Sequence, residues 1–215
     1  MVEENISIDF FKLMGNGIVN DELAQTIKDK LLLKYNESFE VTHLGRRYGT
    51  GDEDISVTAY CHPKDNERIV FTAVLNADRV NFKDDYILRK INVELEDSIE
   101  TLAKEEDEDI LVRSIIIKKY KYDKEVGVEE FIKKEPQTNF LLHIYLKNNK
   151  KDMMKKILKK IEKKYKGIKL RGNIQVLKKE YFQELKKELK QIPSSEDYTI
   201  DSNKIIETYR IEEVL

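Results

Sequence analysis

Residues 150–166 constrain the fold more than any other segment. Met153, Met154, Ile157, Leu158, Ile161 and Tyr165 recur at helical spacing, nine lysines cover the rest, and Gly167 stops the pattern. A helix with one apolar stripe must lay that stripe against another layer. Residues 140–146 and 168–177, on either side of it, read as strands. The helix is therefore one component of an architecture that combines helices with sheet.

The other segments extend this picture. Residues 20–35 read as a helix that Asn20 or Asp21 can cap, with Leu23, Ala24, Ile27 and Leu31 on one face. Strands follow at 39–44, at 55–61, where Ile55, Val57, Ala59 and Cys61 alternate with polar residues, and at 69–75. Turn-rich stretches separate them, so they predict a three-stranded antiparallel meander with one wet face. Asp84-Asp85 caps a second helix that runs to about Ala103, buried along Ile87, Leu88, Ile91, Leu95, Ile99 and Leu102. The run Glu105-Glu106-Asp107-Glu108-Asp109 opposes the negative end of that helix's dipole and reads as an exposed loop. A strand at 110–117, a short irregular or helical stretch at 126–134, a helix at 179–191 and a last strand at 205–211 complete the chain.

The expectation is an α+β fold of two small subdomains, each a mainly antiparallel sheet packed by amphipathic helices. The first is 1–104, in the order α-β-β-β-α, and the second is 110–215, in the order β-β-α-β-α-β. The acidic run supplies the boundary. The two orders suggest a duplication, which no aligned residue repeat accompanies.

Charge divides the chain in the same place. Residues 1–110 carry 13 Lys/Arg against 25 Asp/Glu, a net of −12, whereas 111–215 carry 26 against 16, a net of +10. Asymmetry of this kind speaks to association and partners rather than to fold. The 31 lysines against 8 arginines, and 24 isoleucines against 5 alanines, are the composition of an AT-rich genome, which weakens arguments from lysine abundance. Cys61 stands alone and forms no internal disulfide, which fits a reducing compartment. No apolar run of about 18 residues exists to span a membrane. The N-terminus is acidic and reads as cytoplasmic; the alternative is an extracytoplasmic envelope protein whose signal has been replaced by Met1.

Each candidate for chemistry has a plainer explanation. Cys61 and His62 are neighbours in a strand, so their side chains point to opposite faces, and a core cysteine beside a surface histidine is the simpler account. His43 and His143 are isolated, and no HExxH, HxH or CxxC spacing occurs, so no metal site is expected. Asp52 and Asp54 lack the glycine and closing glutamate of a calcium loop. The most site-like segment is the loop 45–51, where Arg46, Arg47, Tyr48 and three glycines can grip a carboxylate or phosphate. It lacks the lysine of a P-loop, and Asp52-Glu53-Asp54 follows at once, so a hairpin connection is preferred. No catalytic residue and no cofactor are assigned.

The basic segment 147–190 holds 17 bases against 5 acids, but Arg171 is its one arginine and aromatics are few. Readers of nucleic acid rely on arginine, amides or stacked aromatics, so nucleic acid is disfavoured as a partner. A solvated lysine face, with Lys155, Lys159 and Lys163 available to an acidic protein partner, is preferred.

Lys34-Tyr35-Asn36-Glu37-Ser38-Phe39-Glu40-Val41, then Ala59-Tyr60-Cys61-His62-Pro63-Lys64, then Asp84-Asp85-Tyr86, carry a resemblance. Over about residues 20–100 the chain resembles small uncharacterised proteins and lipoproteins of low-GC Gram-positive bacteria. These share a KYxExFEV / YxxP / DDY pattern and sometimes lie near secreted-toxin loci. The resemblance brings no catalytic residue, and this sequence lacks the lipobox cysteine of a lipoprotein precursor. What it implies is a non-enzymatic, immunity-like or accessory protein that recognises another protein through charged surfaces. The alternatives are an enzyme built around the 45–51 loop and a lysine-driven nucleic-acid binder.

Overall fold

The computed structural model describes residues 21–47, 56–76, 79–116, 125–148, 151–189 and 200–211. The fold is α+β, and among the described residues it has two four-stranded sheets, each packed by helices. The chain divides into two compact units, Met1–Tyr86 and Ile87–Leu215.

In the first unit, helix α1 (Asp21–Tyr35) precedes strands β1 (Phe39–Arg47), β2 (Ser56–Pro63), β3 (Phe71–Asn76) and β4 (Phe82–Asp84). The strands form an antiparallel sheet in sequence order, with a bulge between Val41 and His43. Ala24, Ile27 and Leu31 of α1 are buried, as are Ala59 and Cys61 of β2 and Phe71, Ala73 and Leu75 of β3. Alternation along β2 and β3 thus gives one buried and one wetter face. The meander has one strand more than the three read from sequence: β4 is only three residues long, too short to show a period.

The second unit opens with α2 (Tyr86–Lys104), whose residues after Tyr86 all fall here. β5 (Ile110–Ile116), α3 (Val128–Lys134), β6 (Asn139–Leu146), α4 (Lys151–Lys164), β7 (Lys169–Leu177), α5 (Lys179–Glu188) and β8 (Ile205–Arg210) follow. The sheet order is β5-β6-β7-β8. β5 and β8 run antiparallel to their neighbours, but β6 and β7 are parallel, because α4 carries the chain back between them. This sheet is therefore mixed.

Register assigns each strand residue to a face. Ile110, Val112, Ser114, Phe140, Leu142, Ile144, Leu170, Ile174 and Val176 share the buried face. Phe131 of α3 meets Phe140 there edge-on, with ring centroids 6.2 Å apart. On the other face, α5 covers one end, where Tyr181, Phe182 and Leu185 pack with Leu111, Tyr145 and Leu177.

The division falls upstream of the boundary expected at 104–110. The acidic run lies inside the second unit and is tied there by ion pairs. Lys160 reaches Glu105 at 2.9 Å and Glu106 at 2.5 Å, and Lys147 reaches Asp109 at 2.7 Å. These bonds offset the unfavourable placement of carboxylates after a helix C-terminus.

Candidate functional site

Helix α4 presents the basic surface read from sequence. Met153, Met154, Ile157, Leu158 and Ile161 are buried, as is Tyr165 just beyond the helix. Asp152 in the first turn and Lys163 and Lys164 in the last suit the helix dipole, and Gly167, at φ 84°, allows the chain to turn away.

The lysines fall into two groups. Lys160 belongs to the seam with the acidic run: the hydrogen bonds it donates to Glu106 and then to Glu105 hold its pKa above the ordinary lysine range. The Glu106 carboxyl is correspondingly held below its usual range by its bond to Lys160. Lys155, Lys159 and Lys163 are exposed, and among the described residues they form no ion pair. Their spacing of four places them in one row along the helix.

A surface cavity of about 750 Å³ lies beside this helix. Glu94 and Ser98 of α2, Glu129 and Lys133 of α3, and Lys164 and Tyr165 line it. Lys164 donates to Ser98 Oγ at 2.5 Å across it. Burial raises the pKa of Glu94, against the lowering effect of Lys90. Acid and base are mixed in this cavity.

The 45–51 segment differs from the loop expected. Gly45, Arg46 and Arg47 are the last residues of β1, paired with Thr58, Val57 and Ser56, because the β1–β2 ladder continues past the glycine. Tyr48 and the glycines after it lie outside the described residues, as do Asp52 and Asp54. Cys61 is buried and His62 half-buried, with the imidazole Nδ1 2.8 Å from the Pro63 carbonyl oxygen. Burial, followed by the charges of Asp84 and Asp85, pushes the Cys61 thiol up to about 12, so it is no nucleophile at neutral pH.

Two of the three motif segments of the first unit converge. Asp84, with no side-chain exposure, accepts from Lys34 Nζ at 2.9 Å and from the Tyr35 hydroxyl at 2.6 Å. Tyr86 donates its hydroxyl to Glu37, and its ring packs edge-on against Tyr35 and Phe39. Asp85 turns back to accept from the Thr72 backbone N–H at 2.7 Å. The residues of K-Y-x-E-x-F and D-D-Y are thus parts of one structural clasp.

Sequence reading did not group Arg171, Asn173 and Arg210, which share a face of the second sheet. The signal was available in the scarcity of arginine, but the register that gathers these residues was not.

No family model matches the chain, and no curated protein matches it. Among solved structures it is similar to a DUF5037 family protein from Ruminococcus gnavus ATCC 29149. The TM-score is 0.54 at 15% identity, over 87% of this chain and 90% of that one, a likeness that concerns the fold.

Proposed function

We propose that the chain is a non-enzymatic binding protein, immunity-like or accessory in role, that recognises an acidic protein partner through α4. The observation that carries this reading is the exposed row Lys155, Lys159 and Lys163, outside the ion pairs that occupy Lys160. Exposed like charges contribute little to stability, yet they steer an oppositely charged partner and raise its association rate by roughly 10 to 1,000 fold. The resemblance of residues 20–100 to small proteins and lipoproteins of low-GC Gram-positive bacteria adds support for a binding role.

The test compares the parent with Lys155→Glu/Lys159→Glu/Lys163→Glu as immobilised baits in one extract at low salt. Proteins that bind the parent should be acidic, should elute with salt and should be missing from the variant, while the melting temperature stays nearly unchanged. Identical capture by both baits overturns the reading. So does unfolding of the variant, which would place those lysines in a stabilising seam.

A further inference from the structure

We propose that the cavity framed by α2, α3 and the end of α4 binds a small zwitterion, holding its ammonium on Glu94 and its carboxylate on Lys164. The elements that frame it all belong to the second unit. Its volume of about 750 Å³ suits a small organic ligand.

Some of its charged groups are engaged and others are available. Glu130 is tied to Lys134 one turn along α3, and Lys90, whose charge acts on Glu94, is paired with Glu125. Among the described residues, the side chains of Glu94, Glu129 and Lys133 form no hydrogen bond or ion pair. Lys164 donates to Ser98 Oγ at 2.5 Å and lies 5.3 Å from the Tyr165 ring centroid, but it meets no carboxylate among them. Tyr165 lines the cavity although the residue is only 4% exposed. Its hydroxyl has no hydrogen-bond partner among the described residues, nor is it one of the enclosed polar atoms that lack one, so it is open to the surface there.

Spacing sets the form of the ligand. Ser98 follows Glu94 by four residues, so the two share a face of α2, about 6 Å apart along its axis. The bond to Ser98 anchors the Lys164 ammonium about one turn from the position of Glu94. A ligand whose own ammonium and carboxylate stand about 6 Å apart bridges the two, and a short ω-amino acid has that form. Val128 and the Tyr165 ring offer apolar contact to its alkyl chain, and the Tyr165 hydroxyl is a second donor to its carboxylate.

Charge excludes simpler ligands. Lys133 and Lys164 oppose a plain cation, and Glu94 and Glu129 oppose a plain anion. A zwitterion answers both signs and adds no net charge. Desolvation raises the pKa of Glu94 despite Lys90, so its carboxylate lacks a full counter-charge, which the ligand's ammonium supplies.

NMR titration of the isotope-labelled chain with 5-aminopentanoate at low salt tests this. Saturable binding is expected, with pentylamine and pentanoate, which each keep one charge, about tenfold or more weaker. Glu94→Gln and Lys164→Gln should each weaken 5-aminopentanoate about tenfold or more, and Tyr165→Phe should weaken it less. Absence of saturable binding overturns the proposal, as does undiminished binding in the Glu94 or Lys164 variant. A singly charged analogue that binds as tightly as 5-aminopentanoate overturns it as well. Glu94 and Lys164 are exposed, so their neutral variants should keep the fold. The three ligands are compared on the parent chain, so a variant that unfolds does not decide the outcome.

Discussion

Glu96 accepts the backbone N–H of Ser114 at 3.0 Å, and so a helix side chain stands where a neighbouring strand would be. One turn earlier Asn92 donates to the Ser114 carbonyl at 2.7 Å, and the Ser114 hydroxyl reaches Asn92 in return. β5 is the terminal strand of its sheet, and an unpaired strand edge is a template for unwanted pairing. Two polar residues at i and i+4 on an otherwise apolar helix face close it. This contact also explains why α2 goes with the second sheet.

Replacing Glu96 with leucine should therefore be among the most damaging single changes. Glu96 and Arg113 are almost wholly buried, and their charged atoms lie 3.7 Å apart. Removing the carboxylate takes the Glu96 counter-charge from a buried guanidinium, at a cost of about 3–5 kcal/mol. Asn92→Ala should cost about 1–3 kcal/mol by orphaning the Ser114 carbonyl. Urea denaturation measures both, and a loss under about 1 kcal/mol for the glutamate change would refute this account of the edge.

The clasp of the first unit makes a graded prediction. Tyr35→Phe removes one hydrogen bond to a buried carboxylate and keeps the ring contacts, so about 1.5 kcal/mol should be lost. Asp84→Ala removes the acceptor shared by Lys34, Tyr35 and the Tyr86 backbone N–H, and should cost clearly more. Equal losses in thermal unfolding would mean that Tyr35 alone organises the site.

Much of this fold was legible because apolar periodicity is a local property. The stripe Met153–Met154–Ile157–Leu158–Ile161 announces α4, and the alternation of β2 and β3 announces the first sheet. What was not legible depends on partners distant in sequence. Asn92 and Glu96 look like ordinary polar helix residues until Ser114 is beside them. Gly45 suggested a loop, yet the ladder continues through Arg47. The parallel pairing of β6 with β7 is a matter of connection, and strand composition does not encode it. That Asn173 stands opposite Arg210 is visible only once β7 and β8 are in register.

Gly172 is a position where no side chain should be tolerated. Its φ of 129° lies where L-residues rarely go, and a Cβ there would stand 2.0 Å from the Leu142 carbonyl oxygen. That oxygen belongs to the backbone of the neighbouring strand, so it has little freedom to retreat. Gly172→Ala should cost about 3 kcal/mol or more, combining backbone strain with a displaced strand. A melting temperature within a degree or two of the parent would show that β7 adapts more readily than its geometry implies.

The buried thiol gives the last prediction, in alkali. Cys61 is held at about 12 in the folded chain, whereas an unfolded cysteine titrates near about 8.5. Between those values the unfolded state has released a proton that the folded state keeps. Stability must therefore fall as pH rises through this window, with a slope of about 1.4 kcal/mol per unit from this group. Below the lower value both states hold the proton and the contribution is flat. Cys61→Ala loses some packing at every pH, but its stability should decline less steeply above about pH 9 than that of the parent. Denaturant unfolding at pH 7, 9 and 10 measures the two slopes, and parallel lines would remove the thiol from the argument. The same burial predicts that a thiol reagent such as DTNB reacts with Cys61 at the rate of unfolding; rapid labelling of the native chain would show the residue to be accessible.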